Sequence, residues 1–545
     1  MSASSRKSFL PELTDYYRKI LKTTQQSNLG LLADGVDSTT EAPVEWIYPD
    51  GHKATMSNFA SQQNILRGLC ALTTLTGDES WRQQAIASSQ FFMTHYTDEA
   101  SGLFHWGGHR FINQQTGAIE GPASKECVHE LKHHFPFYDF LHEIDAVKTE
   151  QYLKGFWAAH VYDWEKLDLG RHGEYGKPVP EDLFQHYSPV DVVDPAKLPE
   201  LPETKGLTFV NAATDLIYAA SHYARYTGDQ DAYRWAKHLY RQFVLARNPQ
   251  TGMPVYQFSS PIQREPIPED DTLTYSWFGD RAKRQFGPEF GAIAREANVL
   301  FRDSWPVIVD NPLAMLEVAK AHQDQELARD VVAGIQAYYS HAWSEEENAT
   351  IPMWNDGEDL TGYVFPRSGY YGAKGSKLSR LPADPAYLLT LIRASLLVDD
   401  AELKALTARM FARFGLGALN PQTLEPESIN TETTLASPYL IFALLDLAQV
   451  YADARILLLT DTIAANLMKA HYHRGYFLPD SNHRYCRFDD PIAFALLANE
   501  AAHLGVYEKL PVHLSTGGYL HGEVMTQTGI QTVYDRQFIY GVKLA

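Results

Sequence analysis

Cysteine is scarce in this 545-residue chain. Cys70, Cys127 and Cys486 lie far apart with no CxxC pair, which excludes a disulfide-framework fold. Long apolar runs are missing too. No stretch is apolar enough for long enough to span a bilayer. The opening MSASSRKSFLPELTDYYRKILK holds no apolar core of a secretory leader. A cytoplasmic protein is expected, or a periplasmic one if a leader has been removed. Positive charge is the third shortage: 47 Lys and Arg stand against 67 Asp and Glu, a formal net charge of -20. Such a surface repels nucleic acid and anionic membranes, so neither is an expected partner. It repels an acidic polymer as well, unless cations gather in one cleft.

What is present is core. A hydrophobic content of 45% with 21% charged residues is that of a globular chain able to bury a sizeable interior. Aromatics reach 12%; Tyr and Trp at that level either line a carbohydrate site or pack a large helical body. One segment recurs. LTGDESWRQQAIASSQFFMTHYTDEASGLFHW (75–106) and YTGDQDAYRWAKHLYRQFVLARNPQTGMPVYQF (226–258) each begin with a TGD turn, run through an amphipathic stretch and end at a Gly turn. Gly supplies positive φ there and Asp caps the helix that follows. Looser echoes cover 311–343, 396–426 and 443–477.

A helix pair cannot bury both its apolar stripes alone and must stack on like pairs. With no long linker between repeats, the expectation is an all-α fold, one closed α/α toroid spanning 1–545 as a single domain. Short strands are expected near 45–55 and 362–372. Two Pro-rich, polar stretches, 175–205 and 259–290, read as long loops, which often wall a site. A monomer is expected.

VHELKHH (128–134) contains His129, Glu130 and His133, the H-E-x-x-H spacing of zinc peptidases. That chemistry needs both histidines on one face of a continuous helix, with a third ligand further on, here Glu143 or Glu150. Pro136 follows closely, so any helix ends near His134. A dispersed set is the stronger candidate. HWGGHRF (105–111) places His109 after a Gly pair, and DLGRHGEYG (168–176) places Arg171 and His172 between glycines. With Glu130 they offer two imidazoles and a carboxylate from three segments.

GGHR, ECVHELKHHFPFY and DLGRHGEY, in that order within a helical-repeat body, resemble polysaccharide lyase family 2, the transition-metal-dependent pectate lyases. The resemblance covers nearly the whole chain. It implies an (α/α)7 barrel, metal ligands at His109, Glu130 and His172, and a Brønsted base at Arg171. It also implies Mn²⁺, and ligand chemistry would accept Co²⁺, Ni²⁺ or Zn²⁺ as substitutes. The implied reaction is β-elimination on polygalacturonate or its oligomers. The C5 proton, α to the carboxylate, is removed, O4 departs, and a metal on the carboxylate stabilises the developing charge. An arginine base conflicts with a free guanidinium pKa above about 12. Desolvation beside a dication eases the conflict, and otherwise Arg171 clamps a carboxylate.

Sugar carboxylates need further cations. Candidates lie in GDRAKRQF (Arg281, Lys283, Arg284), FPRSGYYGAKGSK (Arg367, Lys374, Lys377) and HRYCRFDD (Arg484, Arg487), with Tyr370 and Tyr371 placed to stack on sugar rings. A cytoplasmic enzyme would meet short imported oligomers, which favours exolytic disaccharide release over endo attack. The competing readings are another α/α-toroid carbohydrate enzyme (a hydrolase or epimerase), the zinc peptidase, and a non-catalytic uronide binder.

Overall fold

Each TGD turn closes one helix and starts the next. Gly77 and Gly228 take φ of +70° and +79° as left-handed caps. Asp78 accepts a hydrogen bond from the Ser80 N–H at 2.9 Å, and Asp229 from the Asp231 N–H at 3.0 Å. Asp324, Asp400 and Asp453 cap three later helices in the same way. One short signal, an aspartate before an amphipathic run, thus sets the outer helix of successive pairs.

The computed structural model describes residues 6–27, 29–122, 128–165, 167–185, 187–191, 208–258, 300–301, 304–365, 373–515, 518–526 and 529–544. Its helices are α1 (Leu10–Gln26), α2 (Gln63–Thr76), α3 (Ser80–His95), α4 (Tyr138–Ile144), α5 (Ala146–His160), α6 (Val210–Thr227) and α7 (Gln230–Leu245). There follow α8 (Asn311–His322), α9 (Gln325–Ala342), α10 (Ala386–Leu397), α11 (Ala401–Arg413), α12 (Pro438–Tyr451), α13 (Ala454–His471), α14 (Pro491–His503) and a final turn, α15 (Asp535–Phe538). Neighbours close a ring: α2 packs on α14, α14 on α12, α12 on α10, α10 on α8, α8 on α6, α6 on α5, and α4 links α5 to α3. Among the described residues this makes seven helix pairs, the (α/α)7 toroid. The pairs are α2/α3, α4/α5, α6/α7, α8/α9, α10/α11 and α12/α13, with α14 paired to the N-terminal α1.

Burial follows the two sequence patterns. Helix α14 is buried at every residue from Ile492 to Ala501, as a helix enclosed by neighbours must be. Helix α7 buries one stripe, Ala232, Trp235, Ala236, Leu239 and Phe243, and shows its other face to solvent. A single core runs from Phe9 to Leu514. The chain reaches its own beginning through Glu500, which accepts from the Phe9 N–H and the Ser8 hydroxyl at 2.8 Å each and from Arg6 at 3.0 Å.

Short strands cap the ring. Strand β1 (Gly35–Asp37) pairs with Tyr485–Arg487. Strands β2 (Glu45–Ile47), β3 (Lys53–Ser57), β4 (Phe111–Asn113) and β5 (Ile119–Glu120) form an antiparallel sheet, so the strand expected near 45–55 is two. A second small core, built on Trp46, Met56, Phe111, Leu520 and Tyr540, ties this sheet to the C-terminal segment. Near 362–372, Val364 bridges Lys377, and 366–372 lie outside the described residues. So do 259–290 and, of the stretch 175–205 also expected as a loop, 192–205; Cys127 also falls outside, while Cys70 and Cys486 are free thiols. No helix among the described residues is long and apolar enough to cross a membrane.

Candidate active site

Backbone pairing brings the three sequence motifs together. Strand β6 (Val128–His129) lies antiparallel to a strand over Gly173–Glu174, with His129 opposite Gly173. Continuing that register sets Glu130 beside His172. On the other side Gly107 bridges Glu130 in parallel, and the Gly108 N–H donates to the Glu130 carbonyl at 2.9 Å. His109 therefore arrives next to Glu130. This approach requires the Gly pair. Gly107 sits at φ +104°, and a Cβ on Gly108 would lie well inside contact distance of Glu130 Oε2. The Arg171–His172 loop is held from below: Tyr162 donates to the His172 carbonyl at 2.8 Å, and the Gly170 N–H to the His160 carbonyl at 3.0 Å.

The side chains converge on one point. His109 Nε2 and His172 Nε2 are 3.1 Å apart. Glu130 Oε2 lies 3.2 Å from His109 Nε2, and Oε1 lies 3.4 Å from His172 Nε2. Ligand atoms of these three residues all fall within 4.8 Å of one another. Glu130 is fully buried, His109 nearly so, and the His172 side chain is 26% exposed, so the cluster opens to solvent on the His172 side. Arg171 stands at that opening, 17% exposed, with Nε 3.4 Å from Glu130 Oε1.

Burial alone would push the Glu130 carboxyl up. Lys132, His521 and His109 outweigh it and hold the group well below the usual carboxylate range, so it is an anion. Burial drives His172 down to about 4, against the pull of Glu130, so it is a neutral imidazole with a lone pair to give. The His109 and His172 nitrogens face each other at 3.1 Å beside this buried anion. Glu130 Oε1, moreover, is buried with no hydrogen-bond partner. A mixed N/O donor set around a buried anion, with one oxygen lacking a well-formed hydrogen bond, fits a divalent transition metal.

The H-E-x-x-H spacing dissolves in three dimensions. The segment forms no helix, correcting the expectation of one ending near His134: His129 ends a strand, and His133 and Phe135 take φ of +54° and +44°. Asp215 enforces that path by accepting from the N–H groups of His133 and Phe135. His129 turns into the core, where Trp106 donates to its Nε2 at 3.2 Å and its Nδ1 meets His160 Nε2 at 2.8 Å. His133 Nδ1 points elsewhere, to Asp310 at 2.7 Å. Glu143 pairs with Arg82, and Glu150 with His142.

Of the cations expected to meet sugar carboxylates, Arg281, Lys283, Arg284 and Arg367, with Tyr370 and Tyr371, lie outside the described residues. Lys374 is exposed in a turn, and Lys377 is exposed in the bridge with Val364. Arg484 is held by Asp37 at 2.7 Å. Arg487 donates to the Gly518 carbonyl, so it anchors the C-terminal segment. Sequence reading missed three groups at the cluster: Lys132, with Nζ 3.2 Å from Glu130 Oε1; Tyr519, 3.3 Å from Lys132 Nζ; and His521, with Nε2 2.6 Å from Glu130 Oε2. Lys132 lay inside the quoted motif and could have been singled out. The other two come from a segment almost 400 residues downstream with no signal of its own.

The fold and site together define a class, a helical toroid with a metal-competent imidazole–carboxylate cluster. The family described as "Periplasmic pectate lyase" matches residues 29–523, and the chain belongs to it. A pectate disaccharide-lyase of Dickeya dadantii (strain 3937) is 50% identical over 99% of this chain and 96% of that one. Among solved structures, a GH76 α-mannanase of Bacteroides thetaiotaomicron is similar at 10% identity over 92% of this chain and 98% of that one, TM-score 0.40. A sugar epimerase from a ruminal bacterium is similar at 10% identity over 91% and 97%, TM-score 0.41.

Proposed function

We propose that this chain is a pectate disaccharide-lyase, cleaving polygalacturonate by β-elimination and releasing 4,5-unsaturated disaccharide. Family membership and the half-identical relative support the activity. The observation that carries the mechanism is the meeting of His109, Glu130 and His172 beside Arg171. These three residues would hold a divalent metal, with Mn²⁺ first and Co²⁺ or Ni²⁺ as substitutes, which when bound would supply Lewis acidity against the charge that builds on the C6 carboxylate. The chain's residues do the rest. Arg171, at the open side of the cluster, takes the C5 proton in its neutral guanidine form and becomes the guanidinium. The C5–H electron pair forms the C4–C5 double bond, the C4–O4 bond breaks, and O4 takes a proton from water. The buried wall formed by Glu130 and His109 keeps water from one side of the reacting centre.

For the compartment we take the family's description, the periplasm, over the cytoplasm. A hydrolase would act without a metal, through two carboxylates. Incubation with polygalacturonate, with and without a chelator, separates the two. The lyase yields ultraviolet-absorbing unsaturated disaccharide and stops on chelation. A saturated product formed in the presence of chelator would overturn the proposal.

A further inference from the structure

Glu130 has two oxygens in unlike surroundings. Oε1 faces the open side, with Lys132 at 3.2 Å and Arg171 and His172 at 3.4 Å as ion-pair contacts. Oε2 is 2.6 Å from His521 Nε2, the shortest contact the carboxylate makes. An approach that close between an imidazole nitrogen and a carboxylate oxygen is an N–H donating to an anion, which assigns the hydrogen to Nε2. Lys132 Nζ, 3.0 Å from the same nitrogen, then lies beside this bond and is held by Glu130 Oε1.

His521 is itself fixed. Its backbone N–H donates to the Gly108 carbonyl at 2.7 Å, and its ring stacks on Tyr534 at 5.5 Å with 17° between planes. It is 4% exposed. Its ring centroid lies 4.2 Å from that of His109, yet it is not among the three residues whose ligand atoms converge. Its place is therefore behind the carboxylate.

We propose that His521 is a positioning residue for the metal centre: its Nε2–H holds Glu130 Oε2 beside His109 and so leaves Oε1 turned toward His172. The inference rests on the metal reading above. Oε1 already meets Lys132 at 3.2 Å and Arg171 at 3.4 Å, so without the His521 bond nothing keeps Oε2 from following it toward these two cations and away from His109. Because His521 lies on the C-terminal segment, the metal site is complete only when that segment is docked on the Gly107–Gly108 loop.

The test measures Mn²⁺ and Co²⁺ affinity of the full chain by titration calorimetry and, for Mn²⁺, by electron paramagnetic resonance. The proteins are wild type, His521→Phe, His521→Gln and His109→Ala. Phe keeps the ring and its stacking but has no donor, while Gln presents an amide N–H near the Nε2 position. Loss of a partner behind a metal ligand typically weakens binding about 10–100-fold, expected for His521→Phe, with His521→Gln within about fivefold of wild type. Two results overturn the inference: His521→Phe binding as wild type does, or His521→Gln failing as badly as His521→Phe while both keep the wild-type unfolding temperature. His109→Ala separates the two levels. If it also binds metal normally, the metal reading itself fails; if it alone loses metal, only the role of His521 does.

Discussion

At the scale of single residues, Arg171 and Asp489 make contrasting predictions. Arg171 touches Glu130 Oε1 from the solvent side and is the proposed proton acceptor. Arg171→Lys keeps a basic nitrogen but moves it, so kcat should fall by about 10²–10⁴-fold with KM little changed, as when a general base is lost. Steady-state kinetics on oligogalacturonides check this. Near-normal kcat with a raised KM would make Arg171 a carboxylate clamp. Asp489 bears on stability. Burial pushes it up to about 7, and its Oδ1 accepts from the Asn64 N–H at 3.0 Å. Between the ordinary aspartate value and about 7, the folded chain keeps a proton that the unfolded chain has lost. Stability from this group is therefore greatest at low pH and is lost as pH rises through that window. Asp489→Asn, which cannot ionise, should gain on wild type by up to about 1.4 kcal/mol per pH unit there and level off above it. Denaturant unfolding at several pH values measures the difference. A constant difference across pH 5–8 would mean that Asp489 is ionised in the fold.

At the scale of elements, the site depends on two close backbone approaches. Gly108→Ala places a methyl against Glu130 Oε2. Its metal affinity should fall by at least about tenfold, as for other disturbed ligand settings, while the helical circular dichroism stays unchanged. His133→Ala should keep its metal, because His133 faces Asp310 and not the cluster, and His109→Ala should lose it. Elemental analysis of the two purified variants decides between them, and the reverse order would revive the zinc-peptidase spacing. The same elements show what a sequence can disclose. TGD turns and apolar stripes are local signals, so the helix pairs were legible. The pairing of His129 with Gly173 is long-range, set by partners 44 residues apart, and leaves no periodic trace. The VHELKHH stretch misled because its composition suits a helix, whereas Asp215, far along the chain, claims its N–H groups and bends it. His109, Glu130, Arg171 and His172 were legible through a family resemblance, and His521 was not, since nothing around it repeats or caps.

At the scale of the whole molecule, the toroid closes through its first helix. Helix α1 completes the seventh pair, and Glu500, 5% exposed, gathers Arg6, Ser8 and the Phe9 N–H. Glu500→Ala leaves a buried N–H and a half-buried guanidinium without this partner, although Arg6 keeps Asp461 at 3.0 Å. The expected cost is about 2–4 kcal/mol by chemical denaturation, with kcat unaffected below the unfolding transition. A cost under about 0.5 kcal/mol would show that α1 is not needed to close the ring.

Closure matters because the site is assembled from both ends of the chain. Segments at 107–109, 130–132, 171–172 and 519–521 meet at one carboxylate, and the central claim is that this carboxylate and its imidazoles serve β-elimination through a metal. The most direct measurement follows ultraviolet absorbance of the unsaturated product from polygalacturonate, using chelated enzyme to which single metals are returned. The account predicts loss of activity on chelation, recovery with Mn²⁺ or Co²⁺ well beyond that with Ca²⁺, and no recovery in His109→Ala. Undiminished activity in the chelated enzyme, or full recovery with Ca²⁺ alone, would contradict it.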